Sequence, residues 1–462
     1  MKKATSIFCI LTLILSIVLF ANSTYAYRPA SLTVLQKPGA EGAWVAPSIV
    51  GLDWTADKWL ASLPKYNVEA APQLNTLVSA TSPTAPPPTD LSRGGLTPDP
   101  EVPESSLASG ATEAPVNPLL VYGAFITPLS NDAYAGADTG LTGIVWGQYE
   151  IYRCSDNAFL GYGLTNSGGT AGQFSKTIEN PYSLGFRVWI IPKSSAGSVR
   201  TGTGGANSYG TVTGCLYPGE VSTYNIGTWN IYSGSSYTYR GAWMIYETMV
   251  EDALGRGGWN FFVNELGAYG TSMPYTIVRF PYETWAHYHW GGEIHLPTLN
   301  DARSPDVILH EYAHMAMYTT YGGGFTTYCP SPHYINGVSH VNCAWSEGWA
   351  SYVPYMTHND KTYTYANNFD VNEETPTWGT SGWSNGAAVE GRVTAALIDL
   401  DDSANDGWDV TYGWRSNLWW VFKYKGMNVN FHDFMADFKS VRPYNTPIVL
   451  TIWQNTIYYL DL

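Results

Sequence analysis

The pentapeptide His310-Glu311-Tyr312-Ala313-His314 limits the fold more sharply than any other stretch. Two histidines four residues apart share a face only on a helix, where they stand one turn above each other and both imidazoles can reach a single ion. The upstream run Ser304-Pro305-Asp306 predicts where that helix starts, with Ser at the N-cap, Pro at the first helical position and an acid in the first turn. Glu311 follows the first histidine, beside any bound ion without ligating it. Zinc lowers the pKa of a coordinated water to about 7 and polarises a carbonyl, and a neighbouring carboxylate can take the proton. The plainer reading, two ordinary core histidines, leaves the charge of Glu311 hard to place.

A third ligand has to come from elsewhere. A histidine six residues after His314, preceded by a glycine, would complete the metzincin pattern, but the positions are Met317 and Thr320, so that arrangement is excluded. Further on, Ser346-Glu347-Gly348-Trp349-Ala350-Ser351-Tyr352 sets an acid among large apolar residues. Such an acid is costly unless a cation or hydrogen-bond donors meet it. Zinc would meet that need, which makes Glu347 the candidate third ligand; the alternative is a glutamate capping a helix start.

The chain begins Met1-Lys2-Lys3, runs through an apolar stretch from Ile7 to Phe20 and reaches Thr24-Tyr25-Ala26. This reads as a secretory signal peptide over residues 1–26, too short in its apolar run for a membrane anchor. No later stretch predicts a membrane span. The acidic balance, a formal net charge of −15, deepens when Lys2 and Lys3 leave, and argues against nucleic acid or anionic lipid as partner. Of the five cysteines, Cys9 goes with the leader. Four remain, which allows three connectivities. In an exported chain they read as two disulfides, Cys154–Cys215 and Cys329–Cys343, because each pair then lies inside one domain. No C-x-x-C spacing supports a zinc–thiolate site instead.

Residues 27–78 read as a small cap or a propeptide. Residues 79–118 are dense in Pro, Ser and Thr and read as an extended linker. Residues 119–233 alternate with period two between turn signals, as in Leu120 to Phe125, Trp146 to Tyr152 and Phe186 to Ile191, and predict an antiparallel β-sandwich. Residues 234–462 bring helices over 241–254, 346–353, 387–401, 415–424 and 431–439, with strands at 275–280 and 292–296. The whole is an α+β plan, with a helical remainder after the second ligand motif.

On these residues the chain resembles the gluzincins, and especially the fungalysin type of secreted metallopeptidase. His310 to His314, Ser346 to Tyr352 and the run Gly391-Arg392-Val393-Thr394-Ala395-Ala396-Leu397 carry the likeness, which spans about Tyr275 to Asp409. It implies a zincin-like domain, Zn2+ held by His310, His314 and Glu347, Glu311 as general base, and a protein or peptide as substrate. It also implies that the strand from Gly292 to Leu296 is the edge along which an extended peptide lies. The stretch from Gly163 to Ser175, with the strand at Val188, resembles transthyretin-like modules appended to carboxypeptidases. This sequence departs from the fungalysin pattern in a longer gap between His314 and Glu347, in Ser351 where the family often has Asp, and in Ala388 where it has His. The residue that would stabilise the oxyanion is therefore open, with Tyr355, His358 and Tyr412 as candidates.

His333 and His340 fall between the ligand helices and either line the site or face solvent. His287, His289 and His295 cluster near the expected edge strand, where a second metal is conceivable. Asp399, Asp401, Asp402, Asp406 and Asp409 read as a solvated helix end, with a structural Ca2+ as the alternative. The leading reading is a secreted zinc metalloendopeptidase. Its rival is an extracellular adhesion or carbohydrate-binding protein with a degenerate peptidase domain, against which the intact Glu311 counts.

Overall fold

Alternating apolar side chains build the first half of the molecule. The protein is seen as a computed structural model that describes residues 118–457, apart from 129–140, 182–183, 232–236, 251–256, 268–272, 290–291, 324–328, 331, 367–368, 376, 405–406, 410 and 443–445. The expected leader, the N-terminal segment, the linker up to residue 117 and Asp406 lie outside the described residues. The strands of this half are β1 (Pro118–Pro128), β2 (Leu141–Gly143), β3 (Gln148–Arg153), β4 (Phe159–Leu164), β5 (Gln173–Glu179), β6 (Phe186–Ile191), β7 (Gly197–Arg200), β8 (Thr211–Val212) and β9 (Thr223–Asn230).

One sheet has the order β4-β3-β6-β8 and is antiparallel throughout. A second has β2-β1-β5, with β9 on the other side of β1. On β1, Leu119 and Val121 are buried while Leu120 and Tyr122 are exposed, the period of a strand with one face in a core. Across the two sheets the Tyr149 ring lies 4.5 Å from that of Phe174, and its hydroxyl donates to the Ser175 carbonyl at 3.2 Å. The β1–β9 pairing is parallel, unlike the all-antiparallel expectation, because β9 reaches β1 through a long connection and not a hairpin. The Cys154–Cys215 disulfide, with Cα atoms 6.1 Å apart, ties the end of β3 to the segment after β8.

The second half contains α1 (Tyr237–Met249), α2 (Gly258–Gly267), β10 (Thr276–Arg279), β11 (His287–His289), β12 (Glu293–His295), α3 (Leu299–Arg303), α4 (Pro305–Thr320), α5 (Val341–His358), β13 (Thr362–Thr364), β14 (Asp370–Asn372), α6 (Glu390–Asp401), α7 (Arg415–Tyr424), α8 (Phe431–Val441) and α9 (Thr446–Gln454). Its sheet has the order β11-β12-β10-β7. Strand β7 is wholly buried and runs parallel to β10, so this sheet joins residues on both sides of position 233.

Three features differ from the sequence expectation. β12 is an interior strand, because the chain turns back through a tight hairpin closed by Gly292 at φ 95° and pairs β11 outside it. The edge is β11. A hairpin of β13 and β14 interrupts the remainder expected to be helical. Helix α5 continues through Pro354 to His358, where burial on both flanks outweighs the lost hydrogen bond. Among the described residues, no helix is long and apolar enough to cross a membrane.

Candidate metal centre

Helix α4 starts where its sequence predicts. The Ser304 hydroxyl accepts from the Val307 N–H at 3.1 Å, and Pro305 occupies the first turn. The same hydroxyl donates to the Thr364 carbonyl, while Asp306 accepts from the Thr364 N–H at 2.7 Å. The N-terminus of α4 therefore grips β13, and Tyr363 on that strand meets the His310 ring edge to face at 6.1 Å. Most of α4 is apolar and buried, including Ile308, Leu309, Tyr312, Met315 and Met317, which fixes its rotation and aims both histidines one way.

Helix α5 supplies the rest. Trp349 is fully buried and stacks on Phe422 of α7 at 4.0 Å. Gly348 makes close approach to α6 possible, since a Cβ there would stand 2.7 Å from Val393 Cβ and 2.8 Å from the Glu390 carbonyl. With α5 so held, Glu347 Oε2 lies 3.0 Å from His310 Nε2 and 3.2 Å from His314 Nε2, and the two Nε2 atoms are 3.1 Å apart. Two more α5 side chains reach the far sides of the rings: Ser351 Oγ is 3.3 Å from His310 Nδ1, and Ser346 Oγ is 3.3 Å from His314 Nδ1.

This arrangement fits a divalent metal ion. A serine oxygen that accepts the Nδ1 proton leaves a lone pair on Nε2, so three electron-pair donors face one point, where they repel unless a cation is shared. Ligands at about 2.0–2.1 Å in a tetrahedron have edges of about 3.3–3.4 Å, and the three edges here are within a few tenths of an ångström of that. Two imidazoles and a carboxylate are a zinc donor set that leaves a fourth position open.

Glu311 is buried on the adjacent position of α4, and its charge acts on both His314 and His333. His333 comes from the loop closed by the Cys329–Cys343 disulfide, whose Cα atoms are 4.8 Å apart. Its Nδ1 lies 2.8 Å from Glu390 Oε1, and that hydrogen bond raises its pKa to about 9 against the cost of burial. A ring nitrogen of His333 and a Glu347 oxygen are within 4.8 Å, and Cys329 Sγ lies 3.4 Å from Glu347 Oε1. Of the two loop histidines named from sequence, His333 lines the centre, whereas His340 caps α5.

The three residues named for the oxyanion stand elsewhere. Tyr355 is buried among groups that include Asp401, Asp402 and Arg415; His358 faces Asp306 at 3.9 Å; Tyr412 is exposed. Nor is the acidic stretch a solvated helix end. Asp399 accepts from Asn455, Asp401 from Tyr352 and Arg415, Asp409 from Thr451, and Asp402 pairs with Lys361. Each carboxylate has its own protein partner, which leaves no shared point for Ca2+ among the described members. Sequence reasoning missed the roles of Ser346 and Glu390. The spacing of Ser346 and Ser351 around Glu347 was the available signal, but it does not say which imidazole each meets.

Residues 277–447 match the Mycolysin C-terminal domain. That span, less than half of the chain, contains every residue of this centre and supports a mycolysin-like metallopeptidase. No curated protein matches the chain. Among solved structures, a 9R-lipoxygenase from Cyanothece PCC8801 aligns over 56% of this chain and 27% of its own, at 10% identity and a TM-score of 0.17. This chain thus spans about a quarter of that protein's length, and so slight a likeness carries no argument.

Proposed function

We propose that this protein is a secreted zinc metalloendopeptidase that hydrolyses peptide bonds in proteins or peptides. The observation that carries the reading is the meeting of His310 Nε2, His314 Nε2 and Glu347 Oε2 within 3.2 Å of one another, each imidazole backed by a serine of α5. Zinc held by these three residues would polarise the scissile carbonyl and acidify a water.

The chain's own groups do the rest. Glu311 takes a proton from the attacking water and delivers it to the leaving amine, so the carboxylate is regenerated in each turnover. Ser346 and Ser351 hold the imidazole orientations through Nδ1. His333, held by Glu390 beside Glu347, is assigned to the carbonyl oxygen as negative charge develops there. The substrate strand is assigned to the free edge of β11. Export follows from the leader reading and is supported by two disulfides of the kind that persist in oxidising compartments.

The test is Glu311→Gln, which keeps the side chain's shape and removes its basicity. The variant is expected to retain the parent's zinc content and lose casein hydrolysis by at least about a hundredfold, the usual weight of a general base. Hydrolysis at the parental rate would remove Glu311 from the mechanism.

A further inference from the structure

A second group of imidazoles stands apart from this centre. Strands β11 and β12 pair His287 with His295 and His289 with Glu293. Period-two alternation puts these four side chains on one face of the hairpin, with Tyr288 and Ile294 on the other. Tyr288 meets Tyr318 of α4, the rings 5.8 Å apart, so the histidine face is turned away from α4. On that face the His287 and His289 rings each lie 4.8 Å from the His295 ring, and one nitrogen from each of the three falls within 4.8 Å of the others.

Glu283, in the loop before β11, stands beside two of the three rings. Its backbone is left-handed at φ 63°, a conformation that disfavours a residue with a Cβ and marks a constrained position. From there its carboxylate reaches two rings: Oε2 is 3.2 Å from His287 Nε2, and Oε1 is 3.3 Å from His295 Nδ1.

Outer partners set the tautomers. His287 Nδ1 lies 3.2 Å from the Trp285 carbonyl. An acceptor there holds the proton on Nδ1 and leaves the Nε2 lone pair facing Glu283. His295 Nε2 lies 3.4 Å from Glu293 Oε2, and Glu293 is itself gripped by Arg279 at 2.8 and 3.1 Å. That leaves His295 Nδ1, which is buried, makes no hydrogen bond and faces the Glu283 carboxylate. A buried lone pair opposite a carboxylate is unfavourable unless a proton or a metal cation sits between them. Ligating histidines ordinarily give their other nitrogen to a carbonyl or carboxylate in this way.

We propose that His287, His289 and His295 form a second metal site, for a transition-metal dication of the zinc type, with the Glu283 carboxylate beside it as a counter-charge. Three imidazoles are a nitrogen donor set suited to such an ion and unsuited to calcium or magnesium. The ion would cross-link the two strands of the edge hairpin. The proposal does not depend on the function assigned to the first centre.

The test is zinc stoichiometry on the full chain, stripped with chelator, dialysed against Zn2+ and measured by mass spectrometry. The parent is expected to bind two zinc ions, H287A/H289A one, and H310A/H314A one. A single zinc in the parent that vanishes in H287A/H289A would uphold this site and remove the first. Equal zinc content in the parent and H287A/H289A would overturn the proposal. Should H287A/H289A fail to give the parental circular-dichroism spectrum, Glu283→Gln provides the second reading. It keeps all three imidazoles and is expected to weaken one zinc at least about tenfold; unchanged affinity for both ions would overturn the site.

Discussion

Removing the two serines behind the ligating histidines separates a built metal centre from three polar groups that merely meet. Each serine oxygen stands 3.3 Å from an Nδ1, a long hydrogen bond between neutral groups, worth about 1 kcal/mol. One such bond corresponds to a factor of about 5 in zinc affinity, and the pair to about 30 if they act independently. Outer partners of ligating histidines are typically worth roughly 10–100-fold, so the two hydroxyls together fall inside that range and each alone falls below it. The measurement is zinc affinity by competition with a chromogenic chelator, in chains that also carry H287A/H289A so that only the first centre is read. S346A and S351A should each weaken zinc several-fold, and S346A/S351A about 30-fold. Affinity unchanged within a factor of two in the double variant would refute the claim that α5 orients the rings through these hydroxyls.

Two further outcomes follow from the packing around α5 and β14. Gly348→Ala places a Cβ 2.7 Å from Val393 Cβ and 2.8 Å from the Glu390 carbonyl, neither of which can swing aside. Overpacking of about 1–3 kcal/mol opposes a helix-propensity gain of about 1 kcal/mol, so urea unfolding should show net destabilisation, and a more stable variant would contradict the close approach of α5 and α6. Glu373 is buried, and burial, with the Asp306 charge adding, holds its carboxyl well above the ordinary range. The folded chain then keeps a proton that the unfolded chain has lost, so stability from this group falls as pH rises above the ordinary carboxylate value, by up to about 1.4 kcal/mol per unit. Gln mimics the protonated acid, so E373Q should gain stability over the parent more at pH 7 than at pH 5, and an equal difference at both would count against a neutral Glu373.

The sequence carried much of the centre because its parts are local. The cap at Ser304, the first-turn proline and the spacing of His310 and His314 depend on one helix, and α4 begins at those residues. Ser351 stands four residues after Glu347, where the fungalysin pattern has a histidine-orienting Asp, so its ring contact is legible from the resemblance; that of Ser346 depends on how two helices cross, which no single segment encodes. The Glu390 partner of His333 is 57 residues away, beyond any local pattern. Helix α9 went unread because Thr446-Pro447-Ile448-Val449-Leu450 is apolar without a polar face, and such a short run does not reveal its period. The hairpin of β11 and β12 is only half legible: β12 shows a strand pattern, but His287-Tyr288-His289 carries little β propensity, so the sequence pattern places the edge one strand too far in.

The most direct test of the metallopeptidase claim is hydrolysis of denatured casein by the purified chain before chelation, after chelation, and after zinc is returned. The account requires activity that is lost with the metal and recovered on its return, since no other group in the centre can polarise the carbonyl as strongly. Hydrolysis that survives complete removal of zinc would contradict it.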